Sequence, residues 1–180
     1  MLMVKDVDLT PNPQALKFIL NDRILSKETR SFQNVTEAEN DPLAKAIFNL
    51  GGVVSVFYMD RFITIEKEPD VSWGKIQMPF VNFIKTFDVS QIPDEQEATG
   101  TDENATETLK KINALLDRSV RPALAGDGGG LEVLDLQNKT LTIRYQGACG
   151  TCPSAIQGTL VAIENLVKRE IDPAMEVVSG

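Results

Sequence analysis

Apolar residues fall into two sets of periodic segments, one in each half of the chain. In the first half, Leu43, Ala44, Ala46, Ile47 and Leu50 follow Asp41-Pro42. A capping carboxylate and a proline at the first helical position predict a compact helix, ended by Gly51-Gly52. Residues 53–58 and 62–65 are rich in β-branched and aromatic side chains around Met59-Asp60-Arg61, the pattern of a hairpin, and a third strand is expected near 16–20. From Trp73, the residues Ile76, Phe80, Phe83, Ile84 and Phe87 recur at helical spacing, with Pro79 either kinking that helix or beginning it. In the second half, Leu109, Ile112, Leu115, Leu116 and Val120 predict an amphipathic helix that stops near Arg121-Pro122, with Asn104 and Glu107 as a capping pair. Asp127-Gly128-Gly129-Gly130 turns the chain into a second hairpin, 131–136 and 141–145. Ile156, Leu160, Ile163, Val167 and Ile171 then step by four, three, four and four residues, which is one helix face. A short strand at 175–178 completes the order α-β-β-α-β.

Between the two sets lies a stretch that belongs to neither. Residues 91–107 contain one large apolar side chain, six acids and no Lys or Arg, too little apolar surface to offset the entropy of ordering them. The fold class expected is therefore α+β, two small mixed domains joined by a flexible acidic linker: domains at 1–90 and 106–180, linker at 91–105. No internal repeat relates the halves. For a chain of 180 residues, 42% apolar and 24% charged composition suffices to build two cores. The net charge of −8 speaks against nucleic-acid binding. The apolar stretch at 50–59 is half a bilayer span and runs into Asp60 and Arg61, so no membrane partner is expected. Lys5 and Asp6 stand where a secretory apolar run would be, which points to the cytoplasm of a bacterium or, had a targeting segment been removed, to an organelle matrix.

Zero histidines exclude Ser-His-Asp and Cys-His nucleophilic centres and any His-containing zinc site. The chemistry left is concentrated in Cys149 and Cys152, the two cysteines of the chain, in Gly147-Ala148-Cys149-Gly150-Thr151-Cys152-Pro153. This Cys-x-x-C lies at a strand-to-helix turn, where helix N-terminal amides favour ionised sulfur, and Gly147 and Gly150 leave room for a cluster or another backbone. Four readings compete: a structural disulfide, a thioredoxin-like redox pair, inert buried thiols, and metal or iron-sulfur ligation. A reducing compartment disfavours the first, and 28 residues after Cys152 are too few for the second. Two thiolates are half of what a four-ligand zinc or iron-sulfur site takes, so ligation calls for a second copy of the chain. Elsewhere the plainer reading prevails. Asp127-Gly128-Gly129-Gly130 lacks the Gly-Lys-Ser/Thr ending of a phosphate loop and is a tight turn. Trp73, Phe80, Phe83 and Phe87 are core, and Lys110-Lys111 and Lys168-Arg169 are solvated faces, while Arg144 is close enough in sequence to the motif to face a negative cluster.

Val120-Arg121-Pro122-Ala123-Leu124, Asp127-Gly128-Gly129, the hairpin and Gly147-Ala148-Cys149-Gly150-Thr151-Cys152-Pro153-Ser154 together resemble the C-terminal domain of NifU, the Nfu-type iron-sulfur scaffold and carrier, over residues 106–178. The first half is similar to the Nfu N-terminal domain through Thr10-Pro11-Asn12-Pro13, Leu16-Lys17-Phe18, Pro42-Leu43-Ala44, Gly52-Val53, Phe62-Ile63-Thr64 and Trp73. The resemblance implies a non-enzymatic carrier that holds a [4Fe-4S] cluster between two subunits at an exposed seam. It assigns the ligand role to Cys149 and Cys152, makes the cluster-bound state a homodimer, and implies upstream cluster-assembly proteins and apo-protein recipients as partners. The N-terminal domain, with no cysteine or histidine, is expected to recognise or orient. The competing functions are a dithiol/disulfide oxidoreductase using Cys149 and Cys152, and a zinc-bridged interaction protein.

Overall fold

The computed structural model describes residues 1–25, 29–93, 103–150 and 153–180, without the side chains of 103–106 and 153–155. The chain divides into two units, Met1–Glu95 and Gln96–Gly180. The fold is α+β, with one sheet in each unit.

In the first unit the expected hairpin forms from β4 (Val53–Met59) and β5 (Phe62–Lys67), which pair antiparallel with Met59 opposite Phe62. Asp60 turns the chain at φ +44°. The third strand appears as β2 (Ala15–Leu20) against β5. Two strands escape the apolar pattern: β1 (Val4–Leu9) and β3 (Thr29–Phe32) complete the order β1-β2-β5-β4-β3. Both are edge strands, so β1 tolerates Lys5, Asp6 and Asp8, and β3 has only four residues. Leu16, Phe18 and Leu20 join Val56, Tyr58, Ile63 and Ile65 in a core closed by α1 (Pro42–Phe48) and α2 (Gln77–Thr86). Asp41 caps α1 by accepting the Ala44 N–H at 2.8 Å. Pro79 is the third residue of α2, inside the first turn, where an amide has no helical partner to lose; it begins the helix rather than kinking it. Of the aromatic residues expected as core, Phe80 is buried, 4.7 Å from Phe18 between ring centroids, and Trp73 (6.4 Å from Phe18), Phe83 and Phe87 are partly buried against that core. The same core takes in Ile92, beyond α2.

In the second unit the order helix-strand-strand-helix-strand holds: α3 (Glu103–Ser119), β6 (Gly129–Gln137), β7 (Thr140–Gly147), α5 (Pro153–Glu170) and β8 (Glu176–Ser179). Arg121-Pro122 interrupts α3 as expected, yet the chain resumes at once as α4 (Arg121–Gly126), because proline is tolerated in a first turn. The helix starts at Glu103, ahead of Asn104, and the proposed cap at Asn104 falls on a side chain outside those described. β6 and β7 are joined by Asn138 (φ +48°) and Lys139 (φ +67°), and β8 lies parallel to β7 in a sheet of order β6-β7-β8. Ile112, Leu115 and Leu116 of α3, Leu124, Leu131, Leu141, Ile143, Tyr145, and Ile163 and Val167 of α5 form one core. The acidic stretch between the units falls mostly on residues outside those described.

Candidate functional site

The Cys-x-x-C segment leaves the end of β7. Gly129 pairs with Gly147 and Gly130 with Gln146, so the first residues of β6 lie alongside the last of β7. Gly147 turns the chain at φ +64° and Gly128 turns it at φ +79°. Two hydrogen bonds fold the segment back: Ala148 N–H donates to the Gly128 carbonyl at 3.3 Å and Gly150 N–H to the Gly147 carbonyl at 3.0 Å. The turn expected at Asp127-Gly128-Gly129-Gly130 is therefore one residue of positive φ followed by the start of a strand.

Cys149 is only 7% exposed and belongs to the core with Leu131, Ile143, Tyr145 and Ile163. In the single chain the Cys149 end of the motif packs inward, because Gly129 leaves space beside it. Cys152 lies outside the described residues, and α5 begins with the next one, Pro153. Of the two uses expected of the neighbouring glycines, room for a cluster or for another backbone, Gly150 serves the second. A Cβ on Gly150 would stand 3.2 Å from the Tyr145 carbonyl oxygen and 3.4 Å from that of Gly147, so its missing side chain accommodates the chain's own backbone. A Cβ on Gly129 would stand 2.7 Å from Cys149 Sγ. Sequence reasoning assigned Gly129 to the turn alone; the signal available was a run of three glycines where one positive φ suffices.

Tyr145 is buried in the same core. Burial, and then the charge of Cys149, push its phenol up to about 12, so it stays protonated at neutral pH, with its hydroxyl 3.5 Å from the Ile156 carbonyl. Arg121 donates to the Leu131 carbonyl (3.4 Å) and Asn113 Oδ1 (2.9 Å) and pairs with Asp117, tying α3 and α4 to β6 beside the site. Buried Gln146 donates to Glu132 at 3.3 Å. Arg144 is not brought to Cys149: it is exposed on β7 between buried Ile143 and Tyr145, and alternation places it on the other sheet face. Lys111 pairs with Glu107 and Lys168 with Glu164, each four residues apart on its own helix, as solvated faces do.

Together the fold and this turn define a two-unit α+β protein whose Cys-x-x-Cys sequence lies between β7 and α5 of the second unit. Residues 4–91 match the family described as "Scaffold protein Nfu/NifU N terminal" and residues 112–178 the "NifU-like domain". The chain is 37% identical over 175 residues to the "NFU1 iron-sulfur cluster scaffold homolog, mitochondrial" of Drosophila willistoni, covering 94% of this chain and 60% of that protein. It is 35% identical over 167 residues to "NifU-like protein 4, mitochondrial" of Arabidopsis thaliana, covering 88% and 59%. A solution structure of a NifU-like protein from Saccharomyces cerevisiae, 30% identical, covers 44% of this chain and 74% of its own, with a TM-score of 0.40. The chain thus spans about three fifths of the length of these curated relatives. It belongs to the Nfu/NifU-like family of iron-sulfur cluster scaffold proteins, carrying both the Nfu N-terminal and the NifU-like domain. That is a scaffold family, not a catalytic one.

Proposed function

We propose that the protein carries a [4Fe-4S] cluster as cargo, bound on Cys149 and Cys152 of each of two chains, and delivers it to apo-proteins. The observation that carries this reading is the donor set: two thiols per chain and no histidine, in a NifU-like domain. Iron-sulfur clusters are held by four thiolates in their common form, and a two-fold axis supplies four from two identical pairs. Each thiol gives its proton to water as its sulfur binds iron, and a recipient's thiolates can replace these ligands one at a time, which suits a carrier better than a cage within one core. The first unit contributes no cysteine or histidine, and its role is to recognise donors or recipients, or to orient the second unit toward them. A reducing interior, bacterial cytoplasm or organelle matrix, suits a dithiol that must stay reduced to bind.

An anaerobic absorption spectrum after incubation with iron and sulfide tests this reading. The wild-type chain should become coloured and contain iron and sulfide in equal amounts, and Cys149→Ser and Cys152→Ser should each stay colourless. A colourless wild-type protein holding zinc, or one cycling between dithiol and disulfide without taking up iron, would replace this reading by one of its competitors.

A further inference from the structure

Gly129 sits in β6 with an ordinary strand backbone; among the described residues the positive-φ glycines are Gly51, Gly52, Gly128 and Gly147. Its lack of a side chain is therefore a matter of space. A Cβ there would lie 2.7 Å from Cys149 Sγ, 2.7 Å from the Gln146 carbonyl oxygen and 3.0 Å from Cys149 Cβ, well inside the contact distance of about 3.5–4 Å. The sulfur thus occupies the volume that any other residue at 129 would fill. Seated there and 7% exposed, Cys149 faces the core of its own unit, where it cannot reach a centre shared with a second chain.

We propose that Gly129 is a positioning residue for cluster loading. With the Gln146 carbonyl it forms a recess that holds the Cys149 sulfur in the unloaded chain, and the sulfur leaves this recess when the turn at 147–150 opens to accept a cluster. The inference rests on the reading of Cys149 as a ligand. It adds that the unloaded thiol is sheltered, and that loading is coupled to a rearrangement that breaks turn hydrogen bonds, those from Ala148 and Gly150 among them.

The test uses the full-length chain with Cys152→Ser, in which Cys149 is the one thiol, and reads its alkylation by iodoacetamide, which forms a thioether and releases iodide. The native chain should react at least about ten-fold more slowly than the same chain in denaturing urea. Gly129→Ala should raise the native rate several-fold while circular dichroism still reads a folded chain. Gly158→Ala, where a Cβ meets nothing within 4 Å, should leave the rate unchanged. Should Gly129→Ala unfold the second unit, adding Cys149→Ala must restore part of the lost thermal stability, because the sulfur is what the new Cβ displaces. Equal rates for native and denatured chains, an unchanged rate in folded Gly129→Ala, or no restoration by Cys149→Ala would overturn the proposal. Each of these readouts is independent of iron uptake, so failure here and failure of the cluster-carrier reading are told apart.

Discussion

The guanidinium of Arg30 lies in the first unit's core, with its side chain and that of Asp41 each 4% exposed and 2.9 Å apart. It also donates to the Pro93 carbonyl, and the Tyr58 hydroxyl donates to the same Asp41 oxygen. Burial and the Asp41 carboxylate hold the Tyr58 phenol far above its ordinary range, so it remains a donor at every working pH. Removing Arg30 would leave that carboxylate buried without its cation, which costs about 3–5 kcal/mol. Arg30→Ala should therefore shift urea unfolding of the first unit by that much, read by Trp73, the single tryptophan of the chain. A shift below about 1 kcal/mol would contradict the pairing. At this scale the sequence was legible wherever a residue's role is local. Asp41 was readable as a cap because its partner is three residues away, and the Cys-x-x-C was readable from its spacing. Arg30 was not, since Asp41, Tyr58 and Pro93 reach it from separate segments. Neither was Gly129, whose neighbour Cys149 is twenty residues on and meets it only through strand pairing.

Elements declared themselves in proportion to the apolar surface they bury. α5 and the β4–β5 hairpin carry unbroken periodicity and formed where expected, whereas edge strands β1 and β3 bury one face only partly and left no clear pattern. The last elements of the second unit are held by carboxylates. Glu164 on α5 accepts from Lys168 and from the Val177 N–H at 3.5 Å, and Asp172 accepts from the Ala174 N–H and from Lys139, each at 2.9 Å. The hydrogen bond from Lys168 holds Glu164 below its ordinary carboxyl value, and the Ala174 amide does so first for Asp172. A carboxylate depressed in the folded state adds stability above its unfolded pKa and loses it as pH falls through the folded one. Glu164→Gln with Asp172→Asn should accordingly be less stable than the parent at neutral pH, and the gap should close as pH drops below about 4. Both groups are partly exposed, so added salt should shrink the gap. Thermal melts across this range check the sign; a gap that stays constant with pH would show that the charges contribute nothing.

At the scale of the whole molecule, the two-unit division was legible because composition changes abruptly. Residues 94–102 hold four acids and no Lys or Arg. Such a stretch is expected to be the first site of limited proteolysis, releasing a fragment from about residue 103 onward that retains the dithiol; first cuts inside either unit would argue against independent folding. What no single chain can reveal is the partner that completes a four-ligand site, and the thiol count makes that the sharpest demand of the account. On the proposed carrier reading, two thiols per chain call for one [4Fe-4S] cluster per two chains, and the apo chain should dissociate when iron and sulfide are withheld. Sedimentation of the anaerobically loaded protein, with iron and sulfide determined on the same sample, measures this directly. The account predicts a dimer carrying four irons and four sulfides, dependent on both Cys149 and Cys152; a monomer carrying four irons, or a full complement in Cys149→Ser, would contradict it.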